Sequence, residues 1–383
     1  MALSSISTFV YTQLLPLSSL SSFSRPLSGR TVLPTGRNTV LGLEAAKHLA
    51  SLGAARLIIT SRSAAPAAPG LGKIEAAGRG KVGRVECWEV ELGRFGSVKA
   101  LAERFAREGG GTLDLLVLNA GVWMPQWQQT PHGCEETLQV NHLSGAWLAL
   151  RLLPFLLAAE AQPPTPRVVV VSSGLHLFLK DVPEAGVGES LLRKLNEREY
   201  SIGKLAGRYP LTKLFDVLFT QALSERLPPA TALSVNVVHP GFCRSELGRH
   251  RRAWGLWLFT LLLARSTEMG ARTLVWTAVS ERLDGLSGKY SAGCGVSTPS
   301  KLVQSARGRE VKELLWVSDE FGRWVLRKLT TFGKADGHTR PSWHWWTPRC
   351  RGSSRSLWCE PEDAARTRRD EVIRWQPGRY CLL

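Results

Sequence analysis

Tyr209 and Lys213, in the string RYPLTK, are two groups capable of proton chemistry set four residues apart. On a helix that spacing puts both on one face, so the ammonium lies near the phenol. Its charge favours phenolate and draws the phenol from about 10 toward the working range of a general acid or base. A solvated helix face carries the same pair, so the company it keeps decides. VVVVSS ends an apolar run on Ser172 and Ser173, and a hydroxyl at a strand end can hold a substrate carbonyl or alcohol while a proton moves. In LVLNAGV, Ala120 and Gly121 are small enough for backbone to approach a flat ligand, and the Asn119 amide can tie adjacent strands together. TGRNTVLG, from Thr35 to Gly42, reads as a strand passing through a glycine turn into a helix. Such a turn aims free backbone N–H groups and the positive end of the helix dipole at a phosphate, although many strand-to-helix junctions use glycine for steric reasons alone.

The elements that must position these residues alternate. RTVLPT, RLIIT, RVECWEV, LDLLVLN, RVVVVSS and ALSVNVVH read as strands, and all but the third are continuous apolar runs, as strands buried on both faces should be. Between them come helical patterns: LGLEAAKHLASLG with Gly53 as its C-cap, VKALAERFAREGG, the stretch around HLSGAWLALRLLPFLLAAEA, and TKLFDVLFTQALSERL. A Gly/Ala/Pro-rich connection between the second and third strands obscures the helix expected there. This alternation predicts an α/β fold, a parallel sheet covered on both faces, over about residues 30 to 332.

In this order TGxxx(V)xG, NAG, NH, SS, YxxxK and HPG resemble the short-chain dehydrogenase/reductase family over roughly residues 30 to 330. NAGVWM, QVNHLSGAWLAL, VVVVSSGLH, RYPLTK and VVHPGFCRSEL look most like its retinol-dehydrogenase and WW-domain-oxidoreductase branch, fungal members included. The resemblance implies a single Rossmann-type doubly wound parallel sheet with strand order 3-2-1-4-5-6-7, and hydride transfer between a nicotinamide and a carbonyl carbon. It implies that Tyr209 is the acid/base, that Lys213 lowers its pKa and holds the nicotinamide ribose, and that Ser173 orients substrate, with Ser172 as the fallback. Asn141 of VNH matches an asparagine supporting a water-linked proton path; its plain alternative is an amide that kinks a helix. Gly36, Arg37, Asn38, Leu41 and Gly42 match the phosphate turn, and Asn119 and Gly121 the adenine-ribose side. Pro240 and Gly241 match the turn beside the nicotinamide, and Ser245 a hydroxyl near its carboxamide or the pyrophosphate.

Cofactor preference follows from charge. An acidic residue closing the second strand would bind both ribose hydroxyls of NAD, but RLIIT closes with Ser61-Arg62, and a guanidinium suits a 2'-phosphate. NADP(H) is therefore expected over NAD(H), with Arg37 a second candidate for that charge. Three residues depart from the family pattern: Val40 stands where a glycine is usual and is expected to intrude on the dinucleotide, Pro34 removes a ladder donor from a central strand, and Glu91 replaces an aspartate near the adenine.

The formal net charge of +17 is scattered and inflated by an Arg-rich C-terminus, so it points to steering of an anionic ligand rather than to nucleic acid. Seven dispersed cysteines without CxxC pairing suit free thiols in a reducing compartment and indicate no metal site. Residues 1–29 read as a disordered leader, compatible with an organelle transit peptide on a chain otherwise expected in the cytoplasm, and 333–383 as an irregular Trp/Arg-rich extension. The run AWGLWLFTLLLA at 253–264 falls short of the roughly 20 residues that cross a bilayer. It reads as a buried helix or substrate lid, with peripheral membrane contact allowed by its flanking arginines. A homodimer is inferred from family habit only. The function expected is oxidoreduction of a bulky apolar carbonyl or alcohol; the rival is a cofactor-impaired relative acting as a binding or regulatory protein.

Overall fold

The computed structural model describes residues 13, 16–22, 25–36, 40–63, 68–159, 164–186, 191–244, 247 and 263–318. The chain divides into two compact units, Met1–Leu315 and Trp316–Leu383, and nearly all described residues belong to the first. Arg37, Asn38, Ser245, the apolar run through residue 262 and the Trp/Arg-rich extension lie outside the described residues.

All six strands read from the sequence form: β1 (Thr31–Pro34), β2 (Arg56–Ser61), β3 (Arg84–Glu89), β4 (Leu115–Leu118), β5 (Arg167–Val171) and β6 (Ser234–His239). Two short strands follow whose residues were not read from the sequence: β7 (Tyr290–Ala292), the seventh strand that the resemblance implied, and β8 (Gly295–Ser297). The sheet order is 3-2-1-4-5-6-7-8, parallel throughout except that β8 returns antiparallel on β7. β4 and β5 are buried along their whole length, as strands covered on both faces must be, whereas β3 at the sheet margin exposes Arg84 and Glu89.

Helices cover both faces. α1 (Val40–Ser51) packs against α2 (Ala68–Gly78) on one side and α6 (Thr267–Val279) on the other. On the opposite face α3 (Phe95–Glu108) packs on α4 (Glu136–Ala158), and α4 on α5 (Leu205–Arg226). The obscured connection does hold a helix, α2, anchored by the fully buried Ile74 and by Leu71. The core on the α1 face joins Leu41, Ala45, Ala46 and Leu49 of α1 to Ala271, Leu274, Val275 and Ala278 of α6. Each large aliphatic side chain so buried contributes about 1.5–3 kcal/mol.

Residues ahead of β1 also join the fold: Leu27 is buried, Arg25 pairs with Asp284, and Arg30 pairs with Asp114, whose second oxygen accepts the Thr31 N–H. Pro34 is accommodated by register. Asp114 N–H donates to the Thr31 carbonyl and Thr35 N–H to the Val117 carbonyl, so odd-numbered residues of β1 face β4. The missing donor of Pro34 therefore faces β2, where the pairing ends at Val32↔Leu57, while pairing with β4 continues to Pro34↔Val117. Replacing Pro34 with Val is expected to extend the β1–β2 ladder and to stabilise the protein by about 1 kcal/mol, the net worth of one backbone hydrogen bond. A urea or thermal melt reads it, and a less stable variant would show that the proline's fixed φ matters more than the donor.

Candidate active site

The order 3-2-1-4 puts the reversal of chain direction between β1 and β4, so their crossovers leave by opposite faces and open a crevice at the carboxyl ends. There Thr35 and Asn119 knot the two strands together. The Thr35 hydroxyl accepts from Asn119 N–H (3.0 Å) and Ala120 N–H (3.3 Å), and the Asn119 amide donates to the carbonyls of Thr35 (3.0 Å) and Gly36 (3.2 Å). Gly36 holds φ +81°, and a Cβ on it would stand 2.6 Å from the Ala120 Cα. A Cβ on Gly42 would stand 2.3 Å from the Gly36 carbonyl oxygen and 2.8 Å from the Asn119 amide nitrogen. Both glycines are thus required by the turn itself.

Val40 is the first residue of α1 and is 38% exposed, so its side chain leaves the protein's own packing undisturbed. Leu41 turns inward and joins the core beneath the turn. A turn that closes tightly around Gly36 and Gly42 at the N-terminus of a twelve-residue helix fits a dinucleotide phosphate.

The serine pair divides its labour. Ser172 is consumed by structure: its hydroxyl donates to the Lys213 carbonyl (2.7 Å) and its N–H to the Val238 carbonyl (2.8 Å). Ser173 is only part-buried; its hydroxyl accepts from Leu175 N–H (3.3 Å) and acts on the Tyr209 phenol to favour its ionisation. Lys213 Nζ lies 5.8 Å from the Tyr209 ring centre and donates to the Val171 carbonyl (2.8 Å) and to Asp216 (2.9 Å). Burial opposes the ammonium charge, but Asp216 and Tyr209 more than offset it, and Lys213 is held above its ordinary pKa. For Tyr209 the balance falls the other way. Burial pushes the phenol up, and the opposing pulls of Lys213 and the Ser173 hydrogen bond do not bring it below its usual value.

Asn141 sits in a π-helical turn of α4, Gln139–Leu143, a distortion that often marks functional sites. The turn presents two successive side chains to α5: Asn141 donates to the Thr212 hydroxyl (3.1 Å), and the His142 ring contacts Asp216 at 3.2 Å. Asn141 also accepts from Val122 N–H (2.7 Å) and donates to the Val122 carbonyl (2.9 Å), tying the NAG strand end to the same helix. A Cβ on Gly121 would approach Asn141 Oδ1 to 3.3 Å and Lys213 Nζ to 3.9 Å, so the two ends of the site converge on that glycine.

Arg62 follows β2 directly and is exposed at the same carboxyl edge. The Glu91 carboxylate accepts from Gly93 N–H (3.1 Å) and caps the turn after β3. Pro240 and Gly241 follow β6, with Gly241 at φ +86°. Sequence reasoning missed Asp216, which shares the Tyr-Lys helix face three residues beyond Lys213, and Trp123, whose indole stacks on the Tyr209 ring at 4.7 Å and 14°. It also missed His176 and His239, which flank Ser173. Asp216 had a signal in helical spacing and His176 in its place three residues after Ser173; Trp123 and His239 are joined to the site only by tertiary structure.

A doubly wound sheet with a glycine turn at its reversal point and a Ser-Tyr-Lys set beside it defines a dinucleotide-dependent oxidoreductase. Residues 30–178 match the family model for short chain dehydrogenases. The chain is 31% identical to the short chain dehydrogenase/reductase dmxR8 of Cryptosporiopsis sp., over 80% of this chain and 94% of that one. It is 34% identical to retinol dehydrogenase 14 of Mus musculus, over 79% and 88%. Among solved structures, it is similar to a protein of Mycobacterium paratuberculosis (TM-score 0.56, 26% identity, 79% of this chain and 97% of that one). It shares its fold with the angucycline C-6 ketoreductase LanV with bound NADP (TM-score 0.50, 23% identity, 71% and 97%). The chain belongs to the short-chain dehydrogenase/reductase family, and membership implies a nicotinamide cofactor.

Two outcomes follow from the geometry. Gly42→Ala drives a methyl into backbone and is expected to cost about 1–3 kcal/mol of stability in a denaturant melt and to abolish dinucleotide binding; unchanged binding would mean the turn is not the phosphate site. In the cofactor-free protein, an ultraviolet difference titration of wild type against Tyr209→Phe should reveal a phenol ionising above the ordinary value of about 10. A tyrosine ionising below that value would show that Lys213 outweighs burial.

Proposed function

We propose that the protein is an NADP(H)-dependent oxidoreductase that interconverts a carbonyl and an alcohol on a bulky apolar substrate. The observation that carries this reading is the Lys213 ammonium, 5.8 Å from the centre of the Tyr209 ring and bonded to the Val171 carbonyl at the end of the strand that leads to Ser173. When bound, the nicotinamide supplies the hydride. Ser173 holds the substrate oxygen, and Tyr209 donates a proton to that oxygen in reduction or removes it in oxidation. A phenol kept protonated by burial suits the reductive direction. Lys213, fixed by Asp216 and the Val171 carbonyl, keeps a full positive charge where a phenolate forms during turnover.

Two further features support the finer parts. Arg62 offers an exposed guanidinium at the end of β2, suited to a 2'-phosphate. Leu177 and Phe178, in the turn directly after Ser173, are exposed large apolar side chains, as is Ile202 in the segment leading into α5. Together they favour an apolar occupant at the mouth of the site.

Calorimetric or fluorescence titration is expected to give tighter binding of NADPH than of NADH. Arg62→Ala should erode the difference by roughly tenfold, the worth of one charge-assisted contact of about 1.4 kcal/mol. Tyr209→Phe should lose about a hundredfold or more in turnover while still binding cofactor. Val40→Gly should tighten binding if the exposed valine meets the dinucleotide. Binding of neither cofactor would sink the reading in favour of a non-catalytic relative.

A further inference from the structure

The peptide linking Ser173 to Gly174 is gripped from both sides by imidazoles. On one side Gly174 N–H donates to His239 Nδ1 at 2.9 Å. On the other, the Ser173 carbonyl lies 2.7 Å from His176 Nδ1. The second contact has a defined direction. Ser300 N–H points to His176 Nε2 at 3.3 Å, and an amide can only donate, so Nε2 is the acceptor and Nδ1 carries the proton given to the Ser173 carbonyl. By the same logic His239 Nδ1 is unprotonated and its Nε2 carries the hydrogen.

Both rings are kept neutral by their surroundings. His176 is completely buried, edge-on to Tyr290 at 5.1 Å, and burial holds its pKa below the ordinary value. Burial, with His176 and Arg265 nearby, pushes His239 down to about 3. The fit is close: a Cβ on Gly174 would come within 2.7 Å of the His239 ring, so only glycine allows the ring to lie there. Ser172, one residue before, is itself fixed to α5 and β6, so the backbone that carries the Ser173 hydroxyl is held on both sides.

We infer that His176 and His239 are positioning residues for Ser173, clamping the Ser173–Gly174 peptide so that the hydroxyl stays in register with Tyr209. Each ring acts through its bond to the Ser173–Gly174 peptide. His239 ends β6 and His176 lies in the turn after β5, so the clamp couples two strand ends and, through Ser300, the segment after β8 to the placement of one oxygen. This rests on the assignment of Ser173 as the hydroxyl that holds substrate.

The test pairs apolar and amide replacements, because an Asn side chain can stand in for the Nδ1 edge of either ring. Hydrogen exchange of the cofactor-free protein reads the clamp directly. The Gly174 amide should lose protection in His239→Leu and keep it in His239→Asn. Turnover is read with NADPH and phenanthrenequinone. His239→Leu and His176→Leu should each lower kcat by between roughly ten- and a hundredfold, as a displaced catalytic group does, with the NADPH dissociation constant unchanged. Asn at either position should restore most of it. In a Ser173→Ala background the Leu replacements should have no further effect, because the group they position is gone. Full protection and full kcat in the Leu variants overturn the clamp, and so does a loss that persists undiminished in the Ser173→Ala background. Should one Leu variant fail to fold, the other histidine and the Asn variants carry the same comparison. Full turnover in Ser173→Ala is a different failure: it removes the role given to Ser173 itself.

Discussion

The hydrogen-bond knot between Thr35 and Asn119 holds together the place where the sheet changes direction. The two strands it joins send their helices to opposite faces. Four bonds from two side chains fix that junction, with the Thr35 hydroxyl also reaching the Val117 carbonyl at 3.3 Å. The demand for glycine at positions 36 and 42 follows, since the Asn119 amide and Ala120 occupy the room that side chains there would need. The phosphate turn is therefore a property of the β1–β4 seam as much as of its own sequence.

A second buried arrangement governs the proton chemistry. Asp216 faces Lys213 on one side and His142 on the other, all three almost wholly buried. A lysine in such a place would lose its charge without a partner, and a carboxylate would be costly without a cation. Held together, they keep a positive charge beside a phenol that burial keeps protonated.

Much of this was legible in the sequence because period and composition act locally. The five apolar runs and RVECWEV became the six strands β1 to β6, and Tyr209 and Lys213 share the helix face their spacing gave them. The short β7 and β8 were not visible, because three residues carry too little pattern to distinguish a strand from a loop. The Gly/Ala/Pro-rich connection concealed α2, whose helical character comes from burying Ile74 rather than from propensity. Pro34 looked hostile to a central strand, and it is tolerated because of which neighbour its nitrogen faces, a parity that the β4 register decides. Lys213 was expected to lower the phenol's pKa, and it does pull that way. The full burial of the ring, which only the folded chain reveals, outweighs it. Trp123 and His239 come from separate segments, so no spacing could have linked them to Tyr209 or Ser173, whereas His176 lies only three residues beyond Ser173 and its bond to the Ser173 carbonyl follows from that turn.

The π turn in α4 has a consequence for how this protein can be improved. Its extra residue interrupts the regular ladder of the helix, with Ser144 N–H bonding back to Gln139 rather than to Val140. Deleting a residue there would give a straighter and more cohesive helix, and selection for thermal robustness alone would favour the deletion. It would also rotate Asn141 and His142 away from α5, parting the NAG strand end from the Tyr-Lys helix. The irregularity is a point where stability and activity select in opposite directions, and stabilising designs for this scaffold should leave Gln139–Leu143 untouched.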